Sequence, residues 1–349
     1  MKTVYSPLHA LQDAEAEFFR GKRVPSFEMP RRAELVLAQV KRVFDDEVIE
    51  PGDFGTGPLV KVHDEALVAF LSTFWGRWSA EIGPIDAFPN GWPPPRSHRL
   101  RTQRIGAELG RFCIDMSSPI MEGTWRAVSA SANVALTAQA LAAGRDHTAF
   151  ALCRPPGHHA GRDYFGGYCF INNAAVAAQA FRDQGAARVA VLDVDYHHGN
   201  GTQDIFYGRN DILTVSIHAD PTLEYPYYAG YADETGQGDG QGFNLNLPLP
   251  CGTQFGAYGE ALEVSLSRIA AFGAEALVVS LGVDTFDGDP ISKFKLRNED
   301  FSTIGRAIAR LGRPTVFIME GGYAVEDIGI NVVNTLSGFE DVFVLDGKS

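Results

Sequence analysis

The run Val189-Ala190-Val191-Leu192-Asp193-Val194-Asp195-Tyr196-His197-His198-Gly199-Asn200 starts apolar and ends in acids and histidines rather than in ordinary turn residues. Side chains at i and i+2 of an extended strand point the same way, which puts Asp193, Asp195 and His197 on one side. Three further apolar runs end in the same manner. Residues 148–153 lead into Arg154-Pro155-Pro156-Gly157-His158-His159, residues 276–281 into Gly282-Val283-Asp284, and residues 315–319 into Glu320-Gly321-Gly322-Tyr323. In a parallel α/β sheet, ligands bind outside the carboxyl ends of the strands. Two carboxylates and an imidazole gathered there read as a metal site, with a histidine pair and a tyrosine beside it.

The fold reading grows outward from these runs. Helix, glycine, short link and apolar strand recur, with Gly144, Gly185, Gly273 and Gly312 each placed after a helical stretch as left-handed caps. Helices are expected over 125–143, 172–184, 257–272 and 300–311, and residues 212–218 supply one more strand. Strands that are apolar throughout, not alternating, belong to a sheet covered on both faces. The fold class is therefore α/β: an open, mostly parallel sheet with helices on both faces and the active site at the carboxyl ends of its strands. Residues 1–349 read as one domain. Residues 76–122, rich in Pro, Arg and aromatics and poor in periodic pattern, read as an insertion. Residues 221–242, rich in Tyr and Gly, read as a loop at the mouth of the site.

Composition narrows the function classes. A chain of 349 residues with 45% apolar content can bury a large core. Its 30 Lys and Arg against 43 Asp and Glu give a formal net charge of −13. That charge argues against nucleic-acid binding and favours a cationic substrate, although solubility alone also accounts for it. No secretory signal and no membrane-length apolar run are read in the sequence, and the four cysteines lack C-x-x-C spacing. A cytoplasmic protein with reduced thiols and no membrane partner is expected.

A catalytic zinc takes three protein ligands and keeps an open position. Asp195, His197 and Asp284 fill that requirement from two strand ends. Two carboxylates largely neutralise a dication, so the bound water needs a protein base, for which His158 and His159 are available. With no cysteine among the ligands, Fe(II), Co(II) or Mn(II) would also suit the set. A lone Asp-x-His is commonly a surface turn; the coincidence of several such clusters on strand ends is what favours ligation.

The runs Arg154 to Ala160, Asp193 to Gln203, Gly282-Val283-Asp284 and Glu320-Gly321-Gly322-Tyr323 resemble the histone deacetylase superfamily. With Phe165-Gly166-Gly167-Tyr168-Cys169-Phe170-Ile171-Asn172-Asn173 and the insertion, the chain is similar over essentially its whole length to the bacterial acetylpolyamine amidohydrolases. The resemblance implies zinc held by Asp195, His197 and Asp284 and an activated water that attacks an acetamide. His159 would be the base and then the acid. His158 would be its electrostatic partner, held by Asp193, and Tyr323 would donate to the oxyanion. Asn200 would orient His159, and because this amide is neutral where many relatives have Asp, His159 should remain a free base near neutral pH.

The resemblance also implies structural potassium. One ion would lie at Asp193, Asp195, His197, Ser216 and Ile217, the other at the carbonyls of Phe206, Arg209, Ile212 and Phe243. Tyr168 and Tyr225, with Gly167, would line a slot for an extended alkyl chain. Glu17, Asp115 and Glu122 are candidates to receive a distal ammonium. Ser117 and Ser118 stand near where a relative places an acidic gatekeeper, which shifts the expectation toward short acetylated diamines. The insertion, with Trp75, Trp78, Trp92 and Pro93-Pro94-Pro95, implies a homodimer with a narrowed entrance. The alternatives are a protein acetyl-lysine deacetylase, a non-catalytic metal-dependent binding protein, and an arginase-like binuclear hydrolase. His63, His98, His147, His198 and His218 are expected to be packing or surface residues, and Cys153 and Cys169 small buried ones.

Overall fold

The computed structural model describes residues 1–44, 48–94 and 102–344. Its strands are Lys2–Val4 (β1), Ala16–Phe19 (β2), Lys22–Pro25 (β3), Val48–Ile49 (β4), Thr148–Ala151 (β5), Val189–Asp193 (β6), Ile212–Ala219 (β7), Asn244–Leu249 (β8), Ala276–Leu281 (β9) and Thr315–Met319 (β10). The α-helices are Arg31–Val43 (α1), Glu65–Glu81 (α2), Ile105–Phe112 (α3), Thr124–Ala143 (α4), Asn173–Asp183 (α5), Asn200–Phe206 (α6), Phe255–Phe272 (α7), Asn298–Ala309 (α8) and Ile328–Glu340 (α9).

Eight strands form one sheet in the order β4-β1-β5-β10-β9-β6-β7-β8, with every neighbouring pair parallel. Alternate residues of each central strand enter opposite cores, which is why these strands are apolar at every position. Val189, Val191, Val278, Val316 and Ile318 pack with α2, α3, α4 and α5. Ala190, Leu192, Val279, Phe317 and Met319 pack with α1, α7, α8 and α9. The chain runs outward through β6, β7 and β8, then returns to fill the centre with β9 and β10. As a result β5, β10, β9 and β6 are consecutive in space, and the four chemistry-bearing runs leave from adjacent strand ends.

The expected strands and helices are present, within about two residues at their ends. Three details differ. Gly185, Gly273 and Gly312 have positive φ, but Gly144 has φ −86°, and the left-handed residue of that link is His147 at φ +60°. The edge strand β8 escaped notice because Asn244-Leu245-Asn246-Leu247-Pro248-Leu249 alternates rather than running apolar, and its proline suits an edge. Residues 76–122 are not pattern-free, since α2 continues to Glu81 and α3 lies inside the segment. Trp78 is buried in the core with its Nε1–H on the Ile85 carbonyl, Trp75 packs against that core, and Trp92 donates to the Cys113 carbonyl. Pro95 and His98 lie outside the described residues.

Candidate active site

The run after β6 does not continue as a strand. Asp193 Oδ1 accepts the N–H of Asp195 at 3.1 Å, and Asp195 Oδ1 accepts that of His197 at 2.9 Å. Two successive side-chain turns, rather than extended alternation, therefore bring these residues together. They split into two functions. Asp193 Oδ2 accepts from His158 Nδ1 at 2.9 Å, whereas Asp195 joins His197 and Asp284.

Ligand atoms of Asp195, His197 and Asp284 all lie within 4.8 Å of one another. His197 Nδ1 is 3.1 Å from Asp284 Oδ2 and 3.4 Å from Asp195 Oδ1. Backbone N–H groups fix the carboxylates: Gly321 donates to Asp195 Oδ2 at 2.8 Å and Tyr196 to Asp284 Oδ1 at 2.9 Å. Both aspartates are fully buried. Burial pulls His197 down, yet its bonds to Asp195 and Asp284 push it up to about 10, so this cluster demands a positive charge. The donor set, one imidazole and two carboxylates, fits a divalent ion such as zinc. Glycines make the convergence possible. A Cβ on Gly282 would sit 1.9 Å from Asp195 Oδ2, and one on Gly321 would sit 2.5 Å from the same atom.

His158 and His159 lie with ring centroids 4.0 Å apart and planes tilted by 42°, but are tuned in opposite directions. Burial lowers His158, but Asp193 and Asp195 outweigh it and push it up to about 10. Burial, reinforced by repulsion from His158 and His197, takes His159 well below the ordinary imidazole value. His159 Nδ1–H donates to Asn200 Oδ1 at 2.7 Å, leaving Nε2 with a free lone pair. The neutrality of Asn200 is thus a secondary reason for the free base; desolvation is the first, and the Asn200 bond itself pulls upward. Two histidines with opposed protonation make a proton-holding group beside a proton-accepting one.

Tyr323 is buried, which raises its phenol well above the usual value and keeps the O–H as a donor. Its backbone N–H is held by Asp289 Oδ2 at 2.7 Å, and its ring faces the Arg32 guanidinium at 4.6 Å. Arg32 also donates to the carbonyls of Gly322 and Glu320, both at 2.6 Å, and pairs with Glu28 at 2.8 Å. The same Glu28 pairs with Arg154 at 2.8 Å. The sequence reading gave Arg32, Glu28 and Asp289 no role. Arg32 was detectable, because it heads the buried stripe Arg32-Val36-Val40 of α1.

The slot residues meet the site from two sides. The Tyr225 ring stands edge-on to His159 at 4.9 Å, and that of Tyr168 is tilted against Tyr323 at 5.5 Å. Tyr168 has φ +68° and follows Gly167, where a Cβ would lie 2.3 Å from His159 Cδ2. Two of the three candidate acids are tied to these tyrosines. Tyr168 Oη donates to Glu17 Oε1 at 2.7 Å, and Tyr225 Oη to Asp115 Oδ2 at 2.8 Å. Glu17 rides on the β2–β3 hairpin, turned by Arg20 and Gly21 at positive φ. Burial pushes its carboxyl up to about 7. Asp115 Oδ2 also accepts from Gly167 N, and Oδ1 accepts from Ser117 N and Oγ. Ser118 Oγ accepts the N–H of Tyr168 at 2.8 Å. Glu122 is exposed on the turn before α4.

Ser216 pairs with Asp193 across β6 and β7, with Ile217 the next residue of β7. The Phe206 carbonyl accepts from Arg209 N and that of Phe243 from Thr214 N, while Ile212 opens β7. His63 and His218 are buried and bonded to backbone, and His198 packs on His218 at 4.5 Å. Cys153 and Cys169 are buried.

The family model described as "Histone deacetylase domain" matches residues 26–339. Acetylpolyamine amidohydrolase 1 of Pseudomonas aeruginosa is 55% identical over 97% of this chain and 99% of its own. Acetylpolyamine amidohydrolase 2 of the same organism is 53% identical over 98% and 99%. The crystal structure of acetylpolyamine aminohydrolase from Burkholderia pseudomallei superposes with a TM-score of 0.93 at 41% identity, covering 99% of this chain and all of that one. Ordered motifs, an all-parallel sheet and strand-end chemistry agree with these likenesses: the chain belongs to the histone deacetylase family, in its bacterial acetylpolyamine amidohydrolase branch, and is a hydrolase acting on linear amides.

Proposed function

We propose that this hydrolase removes acetyl groups from N-acetylated polyamines or diamines, releasing acetate and the free amine. One observation supports the chemistry above all: a buried free-base imidazole, a buried phenol and a three-residue cation cluster converge at adjacent strand ends. Asp195, His197 and Asp284 would hold a divalent ion, zinc in this reading, which would lower the pKa of a water and polarise the acetamide oxygen. His159 Nε2 takes the proton of the attacking water and returns it to the departing nitrogen. His158 keeps its own proton on Nδ1 against Asp193 and opposes negative charge as it develops beside His159. Tyr323 donates its hydroxyl to the carbonyl oxygen, a contribution of about 3–4 kcal/mol at such positions.

The substrate assignment rests on the printed activities of the relatives and on charge. Asp115 forms no ion pair among the described residues, so its carboxylate, clamped between Tyr225 and Gly167, supports reception of a distal ammonium. Glu17, with its raised pKa, is a weaker anion near neutrality and supports a role in fixing Tyr168. The serines at 117 and 118 favour short diamines. We extend the reading to structural potassium at Asp193, Asp195, His197, Ser216 and Ile217 and at the carbonyls of Phe206, Arg209, Ile212 and Phe243. It further includes one domain, a homodimer formed through residues 76–122 that narrows the entrance, and a cytoplasmic site of action.

The test is steady-state turnover of the zinc-loaded protein on N-acetylputrescine, N-acetylcadaverine, N8-acetylspermidine and an acetyl-lysine peptide. An acetylated amine exceeding the peptide in kcat/KM by more than about a hundredfold, ~2.7 kcal/mol of discrimination, supports the reading. Preference for the peptide would establish a protein deacetylase instead. Small-angle scattering showing a monomer would remove the size filter.

A further inference from the structure

We propose that His158, Cys169 and Glu320 form a second divalent-cation site, selective for zinc-like ions, whose filling arrests turnover. A ring nitrogen of His158, the Sγ of Cys169 and a carboxylate oxygen of Glu320 lie within 4.8 Å of one another, and all three residues are buried. Bonds of about 2.0–2.3 Å to a tetrahedral zinc put ligand atoms roughly 3.3–3.8 Å apart, so side-chain shifts of about 1 Å close the site. It shares no ligand with the cluster of Asp195, His197 and Asp284, although His158 Nε2 is only 3.9 Å from Asp195 Oδ1.

Glu320 carries the argument. Its Oε2 accepts the N–H groups of Gly157 at 2.7 Å and His158 at 3.1 Å, which fixes the carboxylate in place. Its Oε1 is buried and has no hydrogen-bond partner among the described residues. Unpaired buried carboxylate oxygens are rare because the lost hydration is not replaced. A cation beside Oε1 replaces it. The other two groups are ready to join. His158 spends Nδ1 on Asp193, the arrangement that orients metal-ligating imidazoles, and Nε2 remains for a ligand. Cys169 makes only weak backbone contacts, its S–H to the Gly167 carbonyl at 3.3 Å and another to the His159 backbone. A thiolate in the set selects zinc or cobalt over magnesium or calcium. Ion binding releases the thiol proton to solvent, so it tightens as pH rises.

The consequence follows from His158. An ion on Nε2 turns the imidazole whose ring centroid lies 4.0 Å from that of His159 into a metal ligand, no longer available as the electrostatic partner of the base. Turnover then falls as the second site fills, while the first stays loaded.

Cobalt(II) added to enzyme already carrying one zinc per chain is the probe. The first cluster contains no sulfur, so a near-ultraviolet sulfur-to-cobalt charge-transfer band reports the second site alone. The expected result is a band growing with the next equivalent of cobalt, in step with loss of turnover. Cys169→Ser should abolish the band and raise the cobalt concentration for half-inhibition about 10- to 100-fold. Glu320→Gln keeps the thiol and should raise that concentration similarly, which decides the matter if the cysteine variant does not fold. Cys251→Ser, at the thiol that is only half-buried, should change neither readout. Absence of the band in the unaltered protein, its loss in Cys251→Ser, or unchanged inhibition in Glu320→Gln overturns the proposal. The band reads binding without reference to substrate, so it stands or falls apart from the deacetylase assignment.

Discussion

Asn200→Asp separates the two reasons why His159 remains a free base. The His159 Nδ1–H donates to Asn200 Oδ1 at 2.7 Å, with both residues buried. Replacing the amide with a carboxylate puts a full negative charge at that distance. An opposite charge in such contact raises an imidazole by about 1 to 3 pKa units, or ~1.4 to 4 kcal/mol. The sign is fixed by chemistry: the base acts unprotonated, so kcat/KM rises with pH through its pKa. Burial now holds that pKa well below the ordinary value, and the lower limb of the profile should lie at acid pH. In the variant the limb moves up by 1 to 3 units, an estimate carried by the same charge effect. Below the new pKa the variant is slower by about tenfold per unit, and above it the two enzymes converge. The substitution has one structural side effect, since Asn200 Nδ2 donates to Tyr164 Oη at 3.2 Å. The Tyr164 hydroxyl must rotate and become the donor, so Tyr164→Phe in the same background serves as the control. The assay is kcat/KM for N-acetylputrescine with zinc-loaded enzyme, from about pH 5 to 10. A limb that stays where it is, with rates lowered equally at all pH values, would refute the reasoning and make Asn200 a purely geometric support.

Three further outcomes are expected. Tyr323→Phe should lose about 10² to 10³ in kcat while binding substrate nearly as well, since its donor acts on the oxyanion; rates near those of the unaltered enzyme exclude that role. Gly282→Ala forces a Cβ to within 1.9 Å of Asp195 Oδ2, so purified protein should hold less than one zinc per chain by elemental analysis even if it folds. Asp115→Asn should weaken kcat/KM for N-acetylputrescine about tenfold to a hundredfold, the range for a hydrogen bond to a charged group. A neutral N-alkylacetamide of the same length should lose much less, and equal losses on both would limit Asp115 to holding Tyr225 and Gly167.

What could be read from sequence divides along the range of the interactions involved. The central strands were legible because burial on both faces writes itself locally, as in Val189-Ala190-Val191-Leu192, with alternate residues in opposite cores. The candidate site residues could be picked out because each strand end carries its chemistry within a few positions. The manner of convergence was not. Asp193 and Asp195 reach different partners through side-chain turns, and only the packing of β9 against β6 decides which carboxylate meets Asp284. Edge strand β8 was missed because it alternates, α2 because it is apolar on most of its circumference, and α3 because its amphipathic pattern spans only eight residues, two of them glycine.

The N-terminal segment was least legible, and its role is the most dependent on distance along the chain. Glu28 is a single carboxylate between two buried guanidiniums, Arg32 four residues on and Arg154 in the run after β5. Removing one member of such a group leaves a buried charge without its partner, a loss of about 3–5 kcal/mol. That strength is placed where the chemistry needs rigidity. Arg32 grips the carbonyls of Glu320 and Gly322 on one side of Tyr323, while Asp289 holds the Tyr323 N–H on the other. Arg154, bonded to the carbonyls of His9 and Gln12, anchors the loop that presents His158 and His159. The segment that carries none of the proposed catalytic side chains therefore sets the relative position of base and oxyanion donor, and within residues 1–32 only the buried stripe that Arg32 heads hints at it.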